Sequence, residues 1–441
     1  MELKAMSKKI QKLFNASTID DLRIALLDCC LSNKKDVFEK YEDIVEDLNQ
    51  DWIQKLYQFF CANREELKQD YTPKSMAKLL AKMVYFEEAK TVYDGCCGTG
   101  ALSIALWELN PNLKFYMEEI DNSVIPFLLF NCCIRNMECE IINGDILKGV
   151  EYKRYILSKG EKYSTVKIGS YSDIPLVDIA VSNPPFNIDF DDLNNPKYAK
   201  YNHLQKGNTN TAFIINLLEK TVFFGTCGII LPSGYISSQQ KKDLNMRKYL
   251  IENNLLDSCI MCPGDFFEST GVNTSILYLD KEKQTEDFVL LDASNRCHKW
   301  IRKQNGFNHT ANRVYEKSFN FFNDEDIEQI YEFVNRNYFK NDEEYLFCKE
   351  DFNNIYSYSQ GVYIKNDKLI DLTYSEKDRI LWEKQVNHKL EIKRISLKGC
   401  KSSNDASIEN IQDALFDNGG LLFMNNESYE NYIKRRKERK Q

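Results

Sequence analysis

Across residues 1–70, apolar residues recur every three or four positions over 19–31 and 37–60 among many acids, a pattern that predicts helices and no strands. At residue 71 the pattern changes. Thr72 followed by Pro73 predicts a helix start, with Thr72 as N-cap and Pro73 at the first helical position. Met76, Leu79, Leu80, Met83 and Val84 give that helix, over about 73–86, a single apolar stripe. Short apolar runs then alternate with helical segments. Strands are predicted over 91–94, 114–118, 139–143, 177–182, 227–231, 257–261 and 274–280, and helices over 101–109, 123–135, 211–224 and 241–252. Such alternation predicts an α/β fold, a doubly wound Rossmann-like domain over residues 71–285. It lies between a helical N-terminal region, 1–70, and a mixed or helical C-terminal region, 286–441.

Two inserts break the rhythm. Residues 151–173 are basic and tyrosine-rich and read as a solvated loop. Residues 189–210 carry Lys197, Lys200, His203 and Lys206 directly after Phe186, which leaves surface and substrate contact both open. Beyond 285 the alternation fades. An acidic helix is expected from Asn323 to about Asn335, irregular tyrosine-rich sequence over 347–363, a charged helix over 372–390, and a basic tail from Lys434 to Lys440.

A length of 441 residues implies two or three domains, and an apolar fraction of 43% with 12% aromatic residues is ample for their cores. No run of about 18 apolar residues is present, and the lysine-rich start lacks an apolar segment. The expectation is a soluble, cytoplasmic protein without a membrane partner. The 14 cysteines include three adjacent pairs (Cys29-Cys30, Cys96-Cys97 and Cys132-Cys133) that read as core residues of a reduced compartment. Cys259 and Cys262 have metal spacing, but no second pair or nearby histidine completes a set, so no metal site is expected. The net charge of −8 lacks the basic excess of a protein that grips nucleic acid alone. Any such contact should be local or supplied largely by another subunit.

The chemistry concentrates at strand ends, where open α/β sheets bind ligands. The strand over 177–182 runs into Asn183-Pro184-Pro185-Phe186. Two prolines stiffen the loop. The Asn183 oxygen and the Pro184 carbonyl can accept the two hydrogens of an exocyclic amine, while Phe186 can stack on its ring. Accepting both protons frees the nitrogen lone pair for attack. The bland alternative is a proline turn with a core phenylalanine. Asp94-Gly95-Cys-Cys-Gly98-Thr99-Gly100 follows a strand and opens a helix, as nucleotide-type loops do. An acid before the first glycine repels pyrophosphate and attracts a cation such as a sulfonium cofactor with an amino-acid end. Glu119 ends the next strand, placed to accept ribose hydroxyls. Asp145 and Ile146 end the third, able to accept from an adenine amine and to pack on its ring. Unrelated surface acids would not be expected to fall so regularly.

In this order, Tyr71-Thr72-Pro73, the Asp94–Gly100 loop, Glu119-Ile-Asp121, Gly144-Asp145 and Asn183-Pro-Pro-Phe186 resemble DNA N6-adenine methyltransferases. Gly228-Ile-Ile-Leu-Pro232-Ser-Gly234, Met246-Arg-Lys-Tyr-Leu and Gly264-Asp-Phe-Phe-Glu-Ser-Thr-Gly271 narrow the resemblance to modification subunits of type I restriction-modification systems, over about 70–360. The chain departs from that family in Asp-Gly-Cys-Cys, where Asp-Pro-Ala-Cys is commoner, and in a short N-terminal helical region. The resemblance implies an S-adenosylmethionine-dependent methyltransferase domain with S-adenosyl-L-methionine as cofactor. The Tyr71 loop would close over the methionine end, Asp94 and the glycines would hold the amino-acid moiety, Glu119 the ribose and Asp145 the adenine. Asn183 to Phe186 would grip a flipped target adenine. The implied partners are double-stranded DNA and a specificity subunit, with or without a restriction subunit. Other substrates open to the same fold are RNA adenine and protein glutamine, and a scaffold subunit without catalysis is a further alternative.

Overall fold

The computed structural model describes residues 3–60, 71–186, 188–190, 207–238, 240–267, 271–283, 288–293, 297–305 and 314–335, with short strands at 362–365, 368–371, 381–384 and 390–394. The chain divides into two compact units, residues 1–230 with 267–270, and residues 231–266 with 271–441.

Four helices open the first unit: α1 (Leu3–Leu13), α2 (Ile19–Leu31), α3 (Lys35–Val45) and α4 (Trp52–Phe60). Thr18 and Asp21 close a reciprocal capping box on α2. The αβ alternation follows with α5 (Lys74–Val84), β1 (Thr91–Gly95), α6 (Ala101–Leu109), β2 (Lys114–Glu119), α7 (Ile125–Ile134) and β3 (Glu138–Asp145). Then come β4 (Val150–Ser158), β5 (Thr165–Gly169), β6 (Val177–Ser182), the two-residue strands β7 (Asp189–Phe190) and β8 (Gly207–Asn208), a helix over Thr209–Lys220, and β9 (Thr221–Pro232).

The sheet of this unit has the order β9-β6-β1-β2-β3-β4-β5. Pairs from β9 to β3 are parallel, and β4 and β5 add antiparallel strands. The chain thus builds outward from β1 to β3, then returns to place β6 on the other side of β1. That reversal between β1 and β6 is the switch point where such sheets bind ligands. Here the doubly wound expectation holds.

Helix α7 explains the N-terminal helices. All ten of its residues are buried, so it needs cover on every side. Phe130 is surrounded by the rings of Phe14 (5.5 Å), Phe38 (5.3 Å) and Tyr41 (4.9 Å), and α2 packs along α7.

Three expectations need correction. Residues 151–173 are largely not a loop: they form the β4–β5 hairpin, in which Tyr155 and Leu157 turn inward while Ile156 faces out. Arg154, 2% exposed, is held there by Glu140 (2.8 Å) and Glu151 (2.7 Å), so a basic residue is core. The predicted helix over 211–224 ends at Lys220, and β9 begins at Thr221 rather than 227. Residues 222–225 bulge between the pairs Val177↔Thr221 and Ile179↔Thr226, leaving Phe223 78% exposed. In the second unit, Leu381–Lys384 is a strand paired antiparallel with Leu390–Arg394, where a helix over 372–390 was expected. Residues 372–380, the tail from Lys434 and the lysines of 191–206 lie outside the described residues.

The rest of the second unit comprises helices Ser233–Ser237, Lys241–Glu252 and Asp324–Val334 and strands β10 (Leu256–Met261), β11 (Thr274–Asp280) and β12 (Val289–Asp292). Strands β13 (His298–Asn305) and β14 (Val314–Phe321) form a hairpin. Among the described residues beyond 285, strands accompany the helix Asp324–Val334, in keeping with a mixed region.

Candidate active site at the strand ends

Register alone assembles the site. Gly95 pairs with Ser182 and with Glu118, and Glu119 with Asn143, so β6, β1, β2 and β3 end side by side. The Ser182 hydroxyl donates to the Gly95 carbonyl, tying the glycine loop to the start of Asn183-Pro-Pro-Phe.

The glycine loop bends through left-handed backbone at Gly98 (φ 56°) and Gly100 (φ 93°). Tyr71 lies across it: a Cβ on Gly98 would sit 3.0 Å from the Tyr71 ring. A Cβ on Gly100 would sit 2.9 Å from Leu128 of α7. Gly100→Ala is therefore expected to destabilise the fold by about 1–3 kcal/mol, read as a lower thermal midpoint. An unchanged midpoint would contradict this packing.

Asp94 is 1% exposed, and its Oδ2 accepts from Ser103 N (3.2 Å) and Ser103 Oγ (2.7 Å). Its Oδ1 is buried without a hydrogen-bond partner among the described residues, as is Thr99 Oγ1. Buried polar atoms of this kind suit a ligand that brings donors. Burial pushes the Asp94 carboxyl up to about 7, against the two Ser103 bonds and with the charge of Glu119 adding to the rise. Glu119 is likewise raised to about 7 by burial, although Gly98 N (2.8 Å) and Asp121 N (2.9 Å) donate to it. Each of its oxygens thus already holds one backbone amide and retains a second lone pair. A ligand with a positive charge and several hydroxyls matches this set.

Asp145 accepts from Leu147 N (3.0 Å) and Lys148 N (3.1 Å), and Lys148 Nζ lies 3.3 Å from its Oδ2. A ligand amine there would share the carboxylate with the exposed Lys148 ammonium. Ile146, 7% exposed, lies next to it.

Thr72 is not the helix cap. Pro73 takes that position in extended conformation, and α5 starts at Lys74. The Thr72 hydroxyl instead accepts from Asn183 Nδ2 at 2.9 Å, which fixes the plane of the amide. Pro184 is buried, Pro185 is half-buried, and Phe186 is 5% exposed with its ring edge-on to Phe267 at 5.8 Å and 86°. Every candidate residue thus lies around one row of strand ends.

Sequence reasoning missed the residues that hold this row. Asn143 donates to the carbonyls of Glu119 (2.9 Å) and Ile120 (3.0 Å). Tyr57 of α4 donates to Asp121 Oδ2 at 2.7 Å, from a region that had shown no site chemistry. Asn143 and Ser103 did leave a trace, as polar residues inside apolar runs.

The model of the N-6 DNA Methylase family matches residues 43–355. The type I restriction enzyme MpnII methylase subunit of Mycoplasma pneumoniae is 24% identical over 271 residues, 57% of this chain and 47% of that protein. The MjaVIII methylase subunit of Methanocaldococcus jannaschii is 24% identical over 316 residues, 67% of this chain and 51% of the relative. The chain therefore spans about half the length of these curated relatives. In fold it is similar to the crystal structure of the type I restriction-modification system methyltransferase subunit from Streptococcus thermophilus. The TM-score is 0.53 at 17% identity, covering 80% of this chain and 78% of that one.

Proposed function

Because this chain belongs to the N-6 DNA methylase family, we propose that it is an S-adenosylmethionine-dependent DNA N6-adenine methyltransferase, the modification subunit of a type I restriction-modification system. The observation that carries this reading is Asn183-Pro-Pro-Phe beside the glycine loop at the switch point, with its amide held by Thr72 (2.9 Å).

S-adenosylmethionine, when bound, supplies an electrophilic methyl group on a sulfonium. Asp94 and the Gly95–Gly100 loop would hold its amino-acid end, Tyr71 and Pro73 would border it, Glu119 would hold the ribose, and Asp145 with Ile146 the adenine. The target adenine cannot be reached inside a duplex and must leave the stack. Asn183 Oδ1 and the Pro184 carbonyl would accept the two N6 protons and Phe186 would supply a ring face, leaving the nitrogen lone pair available to the methyl group. Methylation would form one nitrogen–carbon bond and break the methyl–sulfur bond, and the surplus N6 proton would pass to solvent. Positioning and hydrogen bonding carry the catalysis, without a covalent nucleophile.

In this reading residues 71–285 perform transfer, and 1–70 and 286–441 supply subunit and DNA contacts. A net charge of −8 supports dependence on a specificity subunit for sequence readout, with or without a restriction subunit. Among the described residues no helix is long and apolar enough to cross a membrane; a cytoplasmic location belongs to this proposal.

The test incubates the chain, alone and with its specificity polypeptide, with labelled S-adenosylmethionine and unmodified duplex DNA, RNA and protein. The expected result is N6-methyladenine in one DNA motif, formed only with the partner. Label confined to RNA or to glutamine would overturn the substrate assignment. Efficient motif-specific methylation by the chain alone would overturn the dependence on a partner.

A further inference from the structure

We propose that Asp51, at the start of α4, and Gln54 and Tyr57 within it, spaced three residues apart, are positioning residues that each hold a different wall of the cofactor site. The inference rests on reading that site as the S-adenosylmethionine pocket. Residues three apart on a helix stay on neighbouring strips of its surface, so a single rigid rod presents all three.

The first wall is the ribose turn. Tyr57 OH donates to Asp121 Oδ2 (2.7 Å) and shares a 2.7 Å hydrogen bond with Ser123 Oγ. Asp121 N in turn donates to Glu119 Oε1 at 2.9 Å. The second wall is the Tyr71-Thr72 segment. Gln54 Nε2 donates to the Thr72 carbonyl at 3.1 Å, and the Thr72 hydroxyl holds Asn183.

The third wall is the glycine loop. Asp51 caps α4 by accepting from Gln54 N (2.8 Å), and its Oδ2 accepts from Asn131 Nδ2 (2.9 Å). Asn131 Nδ2 also donates to the Thr99 carbonyl (3.0 Å), while Arg135 Nη1 donates to Asn131 Oδ1 (3.1 Å). The amide of Asn131 is thereby oriented from both ends. Three loops that leave three different elements are set in mutual register by one helix outside the αβ alternation.

Tyr57→Phe isolates the first link. It keeps the ring contacts with Tyr71 (5.5 Å) and Phe127 (5.0 Å) and removes only the hydroxyl. Hydrogen exchange of the free protein should then accelerate over residues 118–124 and not over 71–76. Gln54→Ala should do the reverse. A merely structural loosening of α4 would speed exchange in both segments in both variants, and that outcome overturns the proposal. Calorimetry should show S-adenosylmethionine affinity about tenfold weaker in Tyr57→Phe, the ratio expected for one hydrogen bond to a charged group. Asp121→Asn should show a similar loss, and the double variant should lose no more than Asp121→Asn alone. Unchanged exchange and affinity in Tyr57→Phe, or losses that add in the double variant, overturn the proposal. A wild-type chain that takes up no S-adenosylmethionine defeats the reading of the site, while exchange in the free protein still decides whether α4 holds its walls.

Discussion

Asn183→Ala is expected to slow methyl transfer by about 10²–10³-fold, the usual loss when one preorganised hydrogen-bonding group aimed at a reacting centre is removed. Affinity for S-adenosylmethionine should stay within a few-fold. The split follows from the geometry. Asn183 directly follows β6, one strand away from the glycine loop, and spends one amide proton on Thr72 at 2.9 Å. Truncation removes the acceptor for the target amine and leaves the Asp94 and Glu119 side of the site intact. Single-turnover transfer with enzyme in excess measures the step directly. Substantial turnover by Asn183→Ala would remove Asn183 from the reaction. Phe186→Ala would be a poorer probe, because Phe186 is buried against Phe267 and its loss also leaves a cavity.

Asp94→Asn should make the free protein more stable at pH 8 and a weaker binder of cofactor. Burial raises the Asp94 carboxyl from 3.8 to about 7. A raised acid favours the folded state while it is protonated. Its contribution is therefore full below about pH 4, declines as the unfolded chain ionises, and is lost once pH passes about 7. Three units correspond to roughly 4 kcal/mol of destabilisation at pH 8 as an upper bound. An amide does not carry that cost, so the stability gap between variant and wild type should widen from pH 5 to pH 8. A cationic ligand beside Asp94 favours the ionised form, so cofactor binding near pH 7 should release protons. Calorimetry in buffers of different ionisation enthalpy would detect them. Equal proton release in Asp94→Asn would show that another group, Glu119 first, is responsible.

The αβ alternation was legible because parallel strands buried on both faces read as short apolar runs, and their glycine and proline punctuation is local. Apart from Tyr71, Thr72 and Pro73 at a helix start, every candidate residue came from those strand ends. The β4–β5 hairpin was not legible, because it adds to the sheet edge with one face in water and a buried arginine in the other. Arg154, read as surface charge, is neutralised by Glu140 and Glu151, and no local pattern announces that pairing. The contribution of α4 was hidden for a different reason. Its links to the site join residues 64 and 66 positions apart, beyond any periodicity. Yet α7 carried a hint: a helix apolar on all sides required a cover, and residues 1–60 supply it.

That cover has a consequence for the thiols beneath it. Cys29 and Cys30 of α2 and Cys133 of α7 are buried where those helices pack, and Cys132 is buried on the sheet side of α7 beside Met117. Burial pushes the Cys29 thiol up to about 12 and raises Cys30, Cys97 and Cys139 as well. Only the thiolate reacts with peroxide or disulfide, and at Cys29 and Cys30 burial makes it both scarce and screened. Reaction of Cys29 and Cys30 with an oxidant therefore requires the N-terminal helices to separate from α7 first, so the rate of their oxidation reports that opening.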